Sequence, residues 1–280
     1  MNYTVYQKDT LEKLQKVERE ILKFFIDVCE ENRIDYYMFG GSLLGTIRHQ
    51  GFIPWDDDID VLMFRKDYER FEKIMNEKKS EQFYLVSTQT EKDYFLYFPK
   101  LMMRGTTFKE WWADQVEFPT GIFVDIFILD GLPEKRIRQK NHIFRTRVLT
   151  KMLAVARLKF HGYPKRIQYP INLFHWLFRV IHLSPEYLKK RTLSILERYD
   201  AKECRQCFSA VTVPYPPVFE QEDFGTAEKG NFEGLSVRIP QNYDRLLRIL
   251  YGDYMKLPPE NERYNHCTSE IEFGIYGEGK

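Results

Sequence analysis

Cysteine is scarce in this chain. Only Cys29, Cys204, Cys207 and Cys267 occur among 280 residues, which argues against a disulfide framework and for reduced thiols. Long apolar runs are missing too: none reaches the roughly 18–20 residues that cross a bilayer. The opening MNYTVYQKDTLEKLQKVERE lacks the apolar centre of a secretory signal. A cytoplasmic protein is therefore expected, and a disulfide-stapled secreted domain is not. Acidic residues are absent from one long stretch: Lys135 to Pro185 holds twelve Lys and Arg but no Asp or Glu. The formal net charge of +1 hides this, because the remainder carries 30 basic against 41 acidic residues. Such a block suggests an anionic partner, for which lipid headgroups on the inner face of the membrane are expected rather than nucleic acid. Internal repeats and low-complexity tracts are also lacking.

What is present fits a soluble globular chain, with 43% hydrophobic and 30% charged residues. The length suits one large domain or one domain plus an appendage. Leu11, Leu14, Val17, Ile21, Phe24, Phe25 and Val28 form an i, i+3, i+4 stripe, predicting an amphipathic helix over residues 10–31 capped by Asp9 or Thr10. YYMF then reads as a short strand that breaks at Gly40-Gly41, and SLLGTIRH as a short helix. IDVLMF (59–64) is a second strand, followed by a helix over Lys66–Lys78. Further strands are expected at 83–87, 94–104 and 121–129, and a later helix at Tyr243–Tyr251. The order predicts an α/β (α+β) fold, a mixed β-sheet flanked by helices. Residues 1–133 would form the catalytic core, and 134–280 a basic helical region and C-terminal segment packing back on it.

The oddest stretch is FIPWDDDID, four carboxylates in five positions behind apolar residues. Like charges this close repel, so they need a solvated turn or a counter-ion. Strand alternation puts Asp58 and Asp60 on one face, with Ile59 and Val61 toward the core. Two carboxylates near a strand end suit a hard cation, Mg²⁺ or Mn²⁺, which takes one or two carboxylates plus phosphates and water. Asp56 and Asp57 fall outside that face, as turn or supporting residues.

Upstream, Gly40, Gly41 and Ser42 join a strand to a helix. Free backbone N–H groups and the helix dipole favour a phosphate there. GIFVDIFIL then supplies Asp125, a lone acid among apolar residues, which needs a metal or hydrogen bonds to satisfy it. A phosphate-binding turn, a same-face acid pair and a third acid on a neighbouring strand make a nucleotide-handling site.

These motifs resemble the nucleotidyltransferase superfamily. More narrowly, GGSLLGTIRHQGFIPWDDDIDVLMFRKDYERF, GIFVDIFILDGLP, YGDYMKLPP and the closing Arg263/His266 resemble the LicD family. The resemblance implies transfer of phosphocholine from CDP-choline to cell-surface glycans, lipopolysaccharide or teichoic acids. A related branch, the fukutin-related one, transfers other phosphoalcohols such as ribitol phosphate. It further implies that Asp58, Asp60 and Asp125 bind metal and carry the catalysis, with Gly41 and Ser42 on the phosphates.

Around this centre, Lys100 interrupts an apolar strand and can neutralise donor phosphates, or snorkel at a sheet edge. Arg48 and Arg65 follow the short helix and the acid strand, and can bind phosphate or pair with the acids. Tyr251-Gly252-Asp253 and Leu257-Pro258-Pro259 can shape a pocket. A choline cargo calls for an aromatic cage, with Trp55, Trp111 and Trp112 as candidates. Cys204 and Cys207, with His266 and Cys267, offer a weak zinc signature. INLFHWLFRVIHL (171–183) has a polar stripe of Asn172, His175, Arg179 and His182 and a broad apolar face, suited to the core or a membrane surface.

The expectation is a metal-dependent enzyme moving a phosphoalcohol from a CDP-alcohol donor to a glycan or lipid-linked glycan, with release of CMP. Its rivals are attack on the nucleotide's own α-phosphate and a non-catalytic membrane-associated scaffold. Neither the alcohol nor the oligomeric state is encoded legibly.

Overall fold

A computed structural model describes residues 6–110, 113, 118–158, 165–180, 183–210, 216–265 and 268–276. The first helix, α1 (Lys8–Glu31), buries the expected stripe. Its cap is Gln7, whose carbonyl accepts from the N–H groups of Thr10 and Leu11, not Asp9 or Thr10. Asp9 lies instead in the first turn, where a negative charge favours the helix dipole. Then come β1 (Tyr37–Met38), α2 (Gly40–Arg48), β2 (Asp60–Phe64) and α3 (Arg65–Lys78). The strands β3 (Phe83–Val86), β4 (Lys100–Met103), β5 (Thr107–Glu110) and β6 (Phe123–Gly131) follow. Three helices come next, α4 (Arg136–Arg157), α5 (Lys165–Val180) and α6 (Pro185–Leu196). The chain continues through β7 (Gln206–Ser209), β8 (Val218–Glu220), β9 (Glu228–Phe232), β10 (Leu235–Ile239), α7 (Tyr243–Tyr251) and β11 (Thr268–Glu272).

The main sheet is mixed, in the order β1-β2-β6-β4-β3, so the fold is α/β. β6 is its axis. All nine of its residues are buried, as expected for a strand covered on both faces. It runs parallel to β2, and its other edge pairs first with β4 and then with β7, both antiparallel. Alternation divides the side chains cleanly. Ile59, Val61, Met63, Val124, Ile126 and Ile128 join a core with Leu14, Ile21, Leu22 and Phe25 of α1. Leu62, Phe64, Phe127 and Leu129 join a second core with Phe39, Phe219, Phe224 and Leu246. Each fully buried side chain of this kind contributes about 1.5–3 kcal/mol. Asp60 and Asp125 stand on the second face, where β2 and β6 begin their pairing.

The strand expected over 94–104 is only Lys100–Met103. Tyr94 to Tyr97 are buried in a loop, so their apolar run reports burial, not strand pairing. Pro99, which cannot donate to a ladder, precedes the true strand. The hairpin β9–β10 was not legible, because its faces mix charged and apolar residues. It turns at Glu233-Gly234, with φ of 49° and 76°, as a two-residue type I′ turn requires. Segments beyond residue 133 return to the sheet: β7 extends it alongside β6, and β11 pairs with β5. Among the described residues no helix is long and apolar enough to cross a membrane.

Candidate active site

Three adjacent strands put one residue each into a single row. Asp60 of β2 stands in register with Asp125 of β6, and Asp125 with Lys100 of β4. Residues in register on neighbouring strands share a face, about 5 Å apart. Lys100 is fully buried. It donates to Asp125 Oδ1 at 2.7 Å, pairs with Glu110 at 3.2 Å, and has its Nζ 3.3 Å from the Phe123 ring centre. It is therefore no snorkelling edge lysine. Burial pulls its pKa down, but Asp125 and Glu110 more than compensate and the ammonium persists. Burial raises the Asp125 carboxyl to about 7, against the pull of Lys100.

The glycine turn is locked to this row. Asp60 donates its backbone N–H to Ser42 Oγ at 2.8 Å, tying the start of β2 to the first turn of α2. Gly40 has φ +52°, and a Cβ there would stand 2.6 Å from Asp60 Oδ2. A Cβ on Gly41 would stand 2.6 Å from Asp56 Oδ2. Both positions are glycine because carboxylates press against the backbone. Asp56 thus does more than close a turn. Asp57 points into the protein, 1% exposed, while Asp58 is half-buried ahead of β2.

Two groups register the field of these acids. The carboxyl of Glu18 on α1, 2% exposed and with no partner for Oε2 among the described residues, is held well above its ordinary value. Burial is the main cause, followed by Asp58, Asp57, Asp56 and Asp125. The Tyr251 hydroxyl is raised by burial and then by Asp60, Asp56 and Asp58. Although 46% of Tyr251 is exposed, its hydroxyl end approaches Gly40.

Beside the row lies a cavity of about 560 Å³, lined by Gly41, Arg48, Trp55 and Asp56 on one side. Tyr251, Asp253, Tyr254, the 257–259 segment, Glu262 and Tyr264 form the other wall. Arg48 donates to the Tyr254 carbonyl at 2.6 Å, and buried Asn265 donates to the Trp55 carbonyl at 2.6 Å, so both walls are fixed. A larger cavity of about 730 Å³, between α1 and the β9–β10 hairpin, contains none of these residues.

Gly40, Gly41, Ser42, Asp58, Asp60, Asp125 and Lys100 therefore gather at one strand end, with Arg48 on the pocket wall. Arg65 does not join them. It lies at the far end of β2, about 16 Å along the strand, where its guanidinium grips Asp130 through both nitrogens Nε and Nη2. Trp111, Trp112, His182, His266, Cys267 and the Arg179 side chain lie outside the described residues. Cys207 is buried beside the Phe219 carbonyl with its thiol pKa raised by burial, which disfavours the thiolate a zinc site needs.

The carboxylates line one face without closing on a common point: among the described residues no three His, Cys, Asp or Glu side chains form a ready ligand set. Mg²⁺ does not need one, since it accepts one or two carboxylates and fills its shell with water and phosphate. Adjacent Asp60 and Asp125, with oxygen donors only, fit it.

Sequence reasoning passed over Glu18 and Glu110, and marked Tyr251 as a pocket residue without linking it to the acids. Glu18 had a signal, an acid within the buried stripe of α1. For Tyr251 the missing part is its approach to the acids, because only tertiary folding brings it there.

A mixed sheet that sets an acid row beside the glycine-rich start of a helix has the architecture of a nucleotidyltransferase-type domain. The family profile "LicD/FKTN/FKRP, nucleotidyltransferase domain" matches residues 33–148. The lipopolysaccharide cholinephosphotransferase LicD of Haemophilus influenzae is 30% identical over 94% of this chain and 98% of its own length. The human and mouse ribitol 5-phosphate transferases FKRP are 28% identical, over 36% of this chain and 24% of theirs. The chain belongs to the LicD family and is a phosphotransferase.

Proposed function

We propose that this phosphotransferase carries phosphocholine from CDP-choline to a hydroxyl of a cell-surface glycan or glycolipid precursor and releases CMP. The observation that carries the reading is a pocket beside the acid row, walled by Trp55, Tyr251, Tyr254 and Tyr264, with Tyr251 reaching Gly40 next to Asp60. Aromatic faces attract a quaternary ammonium, and on the same walls Asp56, Asp253 and Glu262 outnumber Arg48 and Lys256. A relative that aligns over 94% of the chain is named for choline transfer, which supports the same cargo.

The acceptor oxygen forms a bond to the phosphorus bearing the alcohol, and the bond from that phosphorus to CMP breaks. Asp125, raised to about 7 by burial, is suited to take the acceptor's proton. Mg²⁺ or Mn²⁺, held by Asp58, Asp60 and Asp125, would neutralise the charge of the diphosphate. The start of α2 offers N–H groups to the phosphates, and Ser42 holds Asp60 in place. Lys100 keeps Asp125 oriented through its short hydrogen bond. Arg48 maintains the pocket wall.

The work site would be the inner face of the cytoplasmic membrane, with residues 135–185 toward anionic lipid. The test is a thermal-shift screen of CDP-choline, CDP-ribitol, CDP-glycerol and CTP with Mg²⁺. CDP-choline should stabilise most. Preference for CDP-ribitol would reassign the cargo, and preference for CTP would favour attack at the α-phosphate.

A further inference from the structure

Several arginines in this fold pair with carboxylates. Arg65, Arg157, Arg238, Arg245 and Arg248 each hold one. Between α4 and α6 four arginines gather around one cavity without a carboxylate. Arg138 and Arg145 of α4 face Arg191 of α6 and Arg198, just past the end of α6, across a cavity of about 330 Å³ whose lining contains no acid. Among the described residues none of the four makes an ion pair. Arg138 and Arg145 are spaced i, i+7, so one face of α4 carries both.

A second observation points to a ligand. His142 lines the same cavity at i+4 from Arg138, is only 7% exposed, and has no hydrogen-bond partner for Nε2 among the described residues. Four fixed positive charges and an unsatisfied ring nitrogen around one small cavity suit a phosphate group. The surroundings say where that phosphate comes from. Ile137 and Phe144, roughly a quarter turn round α4 from the arginines, are 84% and 65% exposed. On α5, Leu173, Trp176 and Val180 are exposed, while His175 turns inward to within 2.6 Å of the Val155 carbonyl on α4. This helix shows water its apolar side, the reverse of an ordinary surface helix. Apolar side chains beside a phosphate cradle match the boundary of a bilayer, where acyl chains and headgroups meet.

We propose that the cavity between α4 and α6 binds the phosphate of an anionic phospholipid headgroup and so seats the enzyme on the membrane. The site is separate from the acid row, and it rests on the functional reading only for the protein's location. Arg145→Gln/Arg191→Gln tests it against Lys140→Gln/Lys151→Gln, which removes the same charge from exposed positions of α4 outside the cavity. Co-sedimentation uses vesicles of phosphatidylcholine alone and of phosphatidylcholine doped with phosphatidylglycerol, with the melting curve of each variant as the folding check. The parent should bind the doped vesicles and leave the neutral ones. The arginine variant should bind roughly 10- to 30-fold more weakly, the lysine variant only slightly so, and both should transfer normally to a water-soluble acceptor. Equal losses in the two variants would overturn the cavity and leave diffuse charge. Stabilisation by inorganic pyrophosphate that depends on Arg145 and Arg191, without vesicle binding, would overturn the lipid source.

Discussion

Glu18 sits in a position that the helix pattern reserves for an apolar side chain, between Val17 and Ile21 on the buried face of α1. Its raised pKa carries a linkage consequence. The folded state keeps a proton that the unfolded chain releases above its ordinary value of 4.5, so this carboxyl lowers stability as pH rises from there. Glu18→Gln keeps the shape without the proton. The variant should melt above the parent at neutral pH, and the gap should close as pH falls toward 4.5. Thermal unfolding across that range checks it. Lys100 makes the opposite case. Lys100→Met leaves Asp125 and Glu110 together in the interior without their cation, and should cost about 3–5 kcal/mol in urea unfolding. Residue identities such as Asp60 and Asp125 were legible because a charge among strand residues is costly without a purpose. The second carboxylate on Lys100 was not, since Glu110 lies on a strand whose alternation is too short to read.

At the scale of elements, the joint between α2 and β2 decides whether the site exists. Ser42→Ala removes the acceptor of the Asp60 N–H, and should destabilise by about 1–3 kcal/mol while lowering transfer. Glycines in this joint divide by what they touch. A Cβ on Gly45 would stand 2.3 Å from the Gly51 carbonyl oxygen, a backbone atom that cannot step aside. A Cβ on Gly41 meets only the Asp56 carboxylate, a side-chain end that can rotate. Gly45→Ala should therefore melt well below the parent, whereas Gly41→Ala should stay folded and lose donor binding. Melting curves and calorimetric titration with CDP-choline separate the two. Helices α1, α3 and α7 and strands β2 and β6 could be read from periodicity, because their patterns arise within a few residues. β7, β8 and the β9–β10 hairpin could not, since their pairing depends on segments far away in the chain.

Over the whole molecule, the early part of the chain supplies the acid row and the late part supplies the wall opposite it. Tyr251, Tyr254 and Tyr264 complete a pocket that Gly41, Trp55 and Asp56 begin. The sequence carried the motifs of the catalytic centre in order and pointed to Tyr251, Asp253 and Leu257-Pro258-Pro259 as pocket residues, but not to Tyr254 and Tyr264 or the separate fate of Arg65. The central claim is phosphoalcohol transfer by the acid row, and product analysis tests it most directly. Purified enzyme, CDP-choline, Mg²⁺ and a glycan acceptor should yield CMP and transferred phosphocholine in equal amounts, with both lost in folded Asp60→Asn and Asp125→Asn. Full turnover by either variant, or cytidylyl transfer to the acceptor in place of phosphocholine, would contradict the account.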